Sequence, residues 1–342
     1  MTYHKATENQ SVLRTREIIK ELPSFVAEFF RGVADYTSAR TRLGYAYDLK
    51  IFFNFMGNPK EFTLDDLVKI NVDDLENFME YLSYYLKSED VSRQNEAAGK
   101  SRKLAAVRKM FKYFYSKGKI PANPAELIDF PKQNQKAIIT LEVDEIARLL
   151  ENVETGENLT QKQLQYHEYT KLRDLALITL LLGTGMRISE CIGLDLTDMD
   201  FDTNGARVVR KGGNETILYF GFEVAEALMD YLEIRKELEA KKGHENALFL
   251  SMQNSRISVR TVQTLVKKYA NVTTTFKKIS PHKLRSTFGT RLYQETHDIY
   301  LVANVLGHAD VNTTKKHYAR MDEQHRRNAA NKVKLRQEGD FK

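Results

Sequence analysis

A chain of 342 residues exceeds what one small hydrophobic core organises, so two domains are expected. Its 42% hydrophobic and 29% charged residues are those of a globular protein, neither disordered nor fibrous, and a net charge of +6 suits an anionic partner. The longest apolar stretch, Leu175–Leu182, is far below the ~20 residues of a membrane span, and the opening MTYHKATENQ has no apolar signal core. The one cysteine, Cys191, excludes an internal disulfide and a zinc site built from several thiolates. A cytoplasmic protein with no membrane partner is the expectation.

In chain order, Ser11–Phe30 places Val12, Ile18, Ile19, Leu22, Val26 and Phe29 close to a helical period and predicts one helix. Ser38–Met56 predicts a second, rich in Leu, Tyr and Phe and stopped by Gly57. Asp73–Leu86 and Ser101–Tyr115 predict two more, so the first domain reads as wholly helical. In the last of these, Leu104, Val107, Phe111 and Phe114 form an apolar stripe. Lys100, Arg102, Lys103, Arg108, Lys109 and Lys112 occupy the rest, and Lys100 to Lys119 holds eight basic residues and no acidic one. Positive charge gathered this way suits a phosphate backbone, and those six residues are the candidate DNA contacts. A plain solvated helix face would carry the same pattern.

KIPANPAELIDFPKQNQKAI, residues 119–138, holds three of the six prolines and reads as an extended connector. The expected division is a helical domain over 1–120, a linker over 121–138 and a second domain over 139–342. Helices are predicted at Leu141–Val153 and Lys171–Leu182, the second nearly all apolar and therefore buried. FDTNGARVVRKGGNETILYF then gives three short strand signals broken by DTNG and GG turns. Helices resume at Glu223–Lys241, Ser258–Tyr269, Pro281–Glu295, Ile299–Leu306, Thr313–Arg320 and Asp322–Leu335. The fold class is thus mainly α with a small antiparallel sheet, an α+β chain in two domains.

Cutting a phosphodiester asks for bidentate cations on the non-bridging oxygens, a proton for the leaving sugar oxygen and a nucleophile that keeps the phosphate. In Gly183-Thr184-Gly185-Met186-Arg187-Ile188-Ser189-Glu190, Arg187 is expected in the first turn of a new helix. The helix dipole disfavours a cation there unless an anion binds, although a pairing with Glu190 would also explain it. In Ser280-Pro281-His282-Lys283-Leu284-Arg285, a cap and an early proline start a helix on which His282 and Arg285 share a face. Leu306-Gly307-His308 sets a second histidine just past a glycine-ended helix, where a surface cap would look alike. Lys211 lies at the hairpin tip in Val209-Arg210-Lys211-Gly212-Gly213, as a reaching cation or a solvated one. Tyr318, in Lys316-His317-Tyr318-Ala319-Arg320, has cationic neighbours that favour its phenolate, while a packed tyrosine is the plainer account. A second basic bias runs from Lys315 to the C-terminus, with nine basic and four acidic residues.

Taken along the chain, Arg187, Lys211, His282, Arg285, His308 and Tyr318 resemble the motif of the tyrosine recombinase/integrase family. The segments that carry the likeness are TGMRISE, VVRKGGN, PHKLRSTFGTRLY and LGHADVNTTKKHYARM. It spans the whole second domain, and the helical first domain and proline connector are similar to the family's core-binding domain and interdomain linker. Tyr318 follows His308 by ten residues where many relatives have nine, but no other tyrosine follows Tyr300. Length and plan are similar to Xer-type recombinases, especially the single-recombinase kind that resolves chromosome dimers.

That resemblance implies a site-specific recombinase working through a 3′-phosphotyrosine and a Holliday junction, with no cofactor and no metal. Arg187 and Arg285 would clamp the phosphate, Lys211 would protonate the leaving oxygen, His282 would support Tyr318, and His308 would donate to the phosphate. It implies double-stranded DNA with paired inverted half-sites, and a homo-tetramer on two sites joined by exchange of the C-terminal helix. An accessory protein is a further partner it allows. A mobile-element integrase, excisionase or invertase would share these residues, and a type IB topoisomerase would share the chemistry. A DNA-binding regulator without catalysis would be expected to have lost active residues. A nuclease would need an acidic metal cluster, for which the sequence shows no candidate.

Overall fold

The computed structural model describes residues 3–88, 91–132, 138–210, 212–274, 276–308 and 310–312, with backbone only over 86–88 and 91–93. The chain divides into two compact units, residues 1–136 and 137–342.

The first unit runs α1 (Tyr3–Ile19), α2 (Val26–Gly32), α3 (Ala39–Met56), α4 (Leu64–Lys69), α5 (Val72–Tyr81), β1 (Tyr84–Ser88), β2 (Val91–Gln94) and α6 (Ala97–Ser116). The single helix expected over Ser11–Phe30 is two, because Pro23 lacks an N–H and pushes the residue before it out of the helical region. The helix expected over Asp73–Leu86 ends at Tyr81, and the chain turns into an antiparallel hairpin with Tyr84 opposite Gln94. Two adjacent tyrosines favour a strand there, and apolar spacing over so few residues does not separate the two periods. Helix starts follow side-chain chemistry: Ser38 caps α3, while Thr63 with Asp66 and Asn71 with Asp74 form reciprocal capping boxes.

The core of this unit is aromatic. Phe52 meets Phe78 edge-on at 5.1 Å and Phe53 at 5.2 Å, with Phe29, Phe111 and Phe114 buried around them. The proline-rich stretch, expected to be an extended connector, is packed in its first part. Ile120, Ala125 and Ile128 join the core, and a 3-10 turn forms over Pro124–Glu126. Arg108 donates to the Glu126 and Ile128 carbonyls and lies 4.8 Å from the Phe130 ring centroid.

The second unit runs α7 (Val143–Thr155), α8 (Gln161–Thr184), α9 (Ile188–Gly193), β3 (Met199–Asp200), β4 (Gly205–Val209), β5 (Glu215–Tyr219), α10 (Phe222–Glu237), α11 (Val259–Thr273), α12 (Pro281–Thr296) and α13 (Ile299–Leu306). The three strands form the expected antiparallel sheet in the order β3-β4-β5, with Ala206 opposite Leu218. The helices expected over Thr313–Arg320 and Asp322–Leu335 lie outside the described residues.

α8 packs against α7, α10 and α12 and organises this unit. It begins at Gln161, well before the expected Lys171, on a Thr160–Gln163 capping box. Its first turns leave Tyr166 and Tyr169 exposed, so their residues lack the apolar stripe by which a helix is read. Deeper along α8, buried Asp174 accepts from Arg173, from Lys268 and from the Tyr269 hydroxyl at 3.0 Å, tying α8 to α11. Burial pushes the Tyr269 phenol well above its usual range and draws the Lys268 ammonium down.

Two glycine-ended helices bring their last turns close to α12. α8 stops at Gly185 and α13 at Gly307, both at φ +62°, where a side chain is strained. A Cβ on Gly185 would also stand 2.3 Å from the Phe288 ring, so α12 can lie against this turn only because residue 185 has no side chain.

Candidate active site

Arg187 occupies the cap position of α9 with extended backbone, one residue before the first turn in which the sequence places it. Buried Glu190 accepts its backbone N–H at 2.7 Å and its Nη1 at 2.8 Å, so the pairing that the sequence offered as the plainer account does form. The other end of the guanidinium reaches across the unit, with Nη2 donating to the Gly307 carbonyl at 2.9 Å. One carboxylate therefore starts a helix and aims an arginine.

Arg285, on the second turn of α12, is 6% exposed. Its Nη1 donates to the Gly185 carbonyl at 2.7 Å and its Nη2 to the Leu306 carbonyl. Two guanidiniums thus meet consecutive carbonyls, Leu306 and Gly307, at the end of α13. Those carbonyls have no partner within the helix and form the negative end of its dipole, where cations are favoured. His308 comes directly after, half-buried, its N–H bonded to the Ala303 carbonyl at 2.9 Å. His282 is exposed one turn before Arg285 on α12, whose first turn starts on the Ser280 carbonyl rather than the Ser280 hydroxyl. The structure therefore gathers Arg187, Arg285 and His308 around one helix end, with His282 on the helix that supplies Arg285. Lys211 and Tyr318 lie outside the described residues.

The sequence reading missed Arg210. Its Nη1 donates to the Asn304 carbonyl at 3.0 Å and its Nη2 to the Val305 carbonyl at 2.6 Å. Burial holds this guanidinium below its usual pKa, Glu190 opposes that, and Arg187 adds to it, which places all three charges in one neighbourhood. The only hint in the sequence was a second cation beside Lys211.

Arginines held by fixed backbone carbonyls are the preorganised donors that an oxyanion needs, since little reorganisation remains when charge develops. Buried Cys191, with its thiol pushed far up by burial, is no nucleophile at neutral pH. Among the described residues, no group of three or more His, Cys, Asp or Glu side chains is gathered to hold a metal, and no helix is long and apolar enough to cross a membrane.

On α6 the six candidate DNA contacts separate. Lys112 is exposed, Lys109 lies 5.0 Å from the Tyr36 ring centroid, and Arg102 reaches buried Asp48 at 2.6 Å. Lys100 donates to Ser83 Oγ at 2.6 Å, and Arg108 is engaged by the carbonyls of the proline-rich stretch. Lys103 does not belong to an outer face: it is 5% exposed and its ammonium donates to Asn95 at 2.7 Å. Counted in helical steps it falls beside Val107 and Met110, inside the apolar arc. Burial raises the Asp48 carboxyl to about 6, against the pull of Arg102 and Lys103.

Residues 140–325 match the family model described as the phage integrase family. Tyrosine recombinase XerC of Caldanaerobacter subterraneus subsp. tengcongensis is 34% identical over 333 residues, covering 92% of this chain and 88% of that one. Among solved structures, the XerH site-specific recombinase bound to palindromic difH substrate, a post-cleavage complex, has a TM-score of 0.65 at 22% identity over 86% of this chain and 80% of that one. A lambda integrase tetramer bound to a Holliday junction has a TM-score of 0.61 at 16% identity, over 85% and 76% of the two chains. This chain belongs to the phage integrase family of tyrosine recombinases, enzymes that cut and rejoin DNA strands. Within that family it is similar to recombinases of the Xer type.

Proposed function

We propose that this chain is a Xer-type site-specific recombinase that resolves chromosome dimers, with Tyr318 as its nucleophile. The Tyr318 oxygen attacks the scissile phosphorus, the bond from phosphorus to the 5′-oxygen breaks, and a 3′-phosphotyrosine and a free 5′-hydroxyl result. Lys211 supplies the proton that the leaving oxygen takes up, and His282 assists removal of the phenol proton. Arg187 and Arg285 bind the non-bridging oxygens, joined by His308. One ester replaces another, so religation needs no outside energy source.

The observation that carries this reading is the convergence of Arg187 and Arg285 on the carbonyls that immediately precede His308. A phosphate arriving there exchanges carbonyl oxygens for charged ones as partners of the same donors. Residues 1–120 act as the core-binding DNA domain, reached through the connector 121–138, and residues 139–342 as the catalytic domain. The enzyme works in the cytoplasm as a homo-tetramer on two DNA sites with inverted half-sites. Neighbours are coupled by the helix expected at Asp322–Leu335, and an accessory protein acts where the cell supplies one.

The test is covalent capture from host cells: denature the protein, recover the DNA bound to it and sequence it, with Tyr318→Phe as control. Adducts at one discrete site, absent from the control, are expected. A site near the replication terminus supports dimer resolution, whereas the end of a mobile element would replace it with integration or inversion. No adduct above the control overturns the reading.

A further inference from the structure

Arg210 stands at the end of β4, at the base of the hairpin whose next residue is Lys211. Its N–H donates to the Asn214 carbonyl at 2.8 Å and its carbonyl accepts from Gly213 at 3.0 Å, so it closes the turn from both sides. Within that turn Gly212 and Gly213 sit at φ +96° and +85°, and a Cβ on either would meet nothing within 4 Å. At those two positions the turn has no packing of its own.

What fixes its base is the Arg210 guanidinium itself, which reaches out of the sheet to α13. Arg210 spans the Asn304 and Val305 carbonyls, Arg285 takes Leu306 and Arg187 takes Gly307. Four successive carbonyls at the end of α13 are thereby held by three arginines, two of them the proposed phosphate clamps. Gly307 leaves the room this needs, since a Cβ there would stand 2.4 Å from the Arg210 guanidinium.

We propose that Arg210 is a positioning residue for strand cutting: it bolts the hairpin base to the end of α13, where the two arginine clamps also meet, and acts through Lys211, the next residue in the chain. The inference rests on the reading of Lys211 as the proton donor. Arg210 touches no reacting atom in this scheme. Its loss leaves the clamps in place and deprives the leaving oxygen of a well-placed proton. A guanidinium serves better than an ammonium here, because its flat fork spans two carbonyls at once.

The test uses nicked duplexes carrying the site recovered by covalent capture, with either an ordinary scissile phosphodiester or one whose bridging 5′-oxygen is sulfur. Thiols are far more acidic than alcohols, so the sulfur leaves as thiolate without a proton donor. Arg210→Ala should cut the ordinary duplex about 30-fold more slowly than the wild type, yet cut the sulfur duplex within about threefold of it. Lys211→Ala should show the same pattern with a larger initial loss, and Arg285→Ala should be slow on both duplexes. Arg210→Lys should fall between Arg210→Ala and wild type on the ordinary duplex, and it decides the matter in the same way if Arg210→Ala fails a thermal-unfolding check.

If Arg210→Ala is equally slow on both duplexes while Lys211→Ala is rescued, Arg210 is plain structural support and this inference alone is overturned. An Arg210→Ala rate on the ordinary duplex equal to wild type overturns it as well. If Lys211→Ala is not rescued, or capture yields no site, the underlying reading has failed and the inference falls with it.

Discussion

On α6 Lys112 is exposed to solvent, Lys109 lies against Tyr36 and Arg102 reaches down to Asp48. In the second unit Arg187, Arg210 and Arg285 turn the other way, inward onto carbonyls 304 to 307. The difference is one of solvent and of freedom. A cation on an outer helix face keeps its water and its rotamers, so it attracts phosphate at long range, weakly and with strong dependence on salt. A guanidinium held by backbone carbonyls within the fold has already lost much of that freedom and water, so its charge acts at short range on a developing oxyanion. The first arrangement suits holding DNA and the second suits changing it.

The largest test of that contrast is Arg285→Ala. A buried donor is removed and two carbonyls lose a partner, so adduct formation at the mapped site should fall about 10²- to 10³-fold. Unfolding should become easier by about 1–3 kcal/mol. Arg285→Lys should recover little, because an ammonium does not reproduce the fork that joins Gly185 to Leu306. Single-turnover cleavage at saturating protein separates the roles. A variant that binds DNA less well but cuts at the normal rate once bound would erase the distinction between the two units.

Next in size is Gly307→Ala. The backbone there is left-handed at φ +62°, which costs a residue with a side chain about 1–2 kcal/mol, and the new methyl meets the Arg210 guanidinium. Cleavage should fall about tenfold with little change in DNA affinity, as expected when a geometry rather than a contact is lost. Unfolding and gel-shift measurements on the same preparation check both halves. A loss confined to affinity would mean that the end of α13 only supports DNA binding.

The two units also differ in how far their sequences could be read. Around the active site the signals were local and chemical: Gly185 and Gly307 end helices, and His282 and Arg285 are spaced by one turn, so the element bearing each residue was legible. The destination of each guanidinium was not, because Leu306 and Gly307 lie more than a hundred residues from Arg187 along the chain. Arg210 went unread for the same reason, since nothing within its own strand tells that its partners are Asn304 and Val305. In the first unit the misreadings have other causes. Pro23 breaks a helix whose apolar spacing runs through it, and the Tyr84–Gln94 hairpin hides in a run too short for its period to be decided. Lys103 went wrong because its charge was counted and its place on the helix was not.

A smaller effect concerns an inward-facing carboxylate of the first unit. Asp48 is 1% exposed, meets Arg102 and lies near Lys103, whose own partner is Asn95. Burial raises its carboxyl from 3.8 to about 6, so between those values the folded protein holds a proton that the unfolded chain has released. Stability must then fall as pH rises through that window, the opposite of a carboxylate stabilised by its ion pair. Asp48→Asn keeps the shape and removes the titration. Relative to wild type it should gain about 1–3 kcal/mol between pH 4 and pH 7, read from hydrogen exchange of α3 and α6 amides. Equal pH profiles for the two proteins would show that Arg102 fully compensates the buried charge, making this pair an outward-facing salt bridge like any other on the surface.

The smallest effect bears most directly on what the outer face of α6 does. Each phosphate neutralised by a side chain releases counterions, so losing one such contact lowers the slope of log affinity against log salt by about 0.9. Lys112→Ala should show that change on a duplex of arbitrary sequence, because an exposed ammonium reads charge and not bases. Lys103→Ala should leave the slope unchanged and instead lower stability, since its ammonium is bonded to Asn95 within the fold. The pair is informative because the two lysines share a helix and a charge and differ only in which way they point. If both variants leave the slope alone, the positive charge between Lys100 and Lys119 is ordinary solvated surface, and the grip on DNA has to be sought on another element. If both lower it, binding must draw Lys103 out of the core, and α6 would have to shift its packing against α3 when DNA arrives.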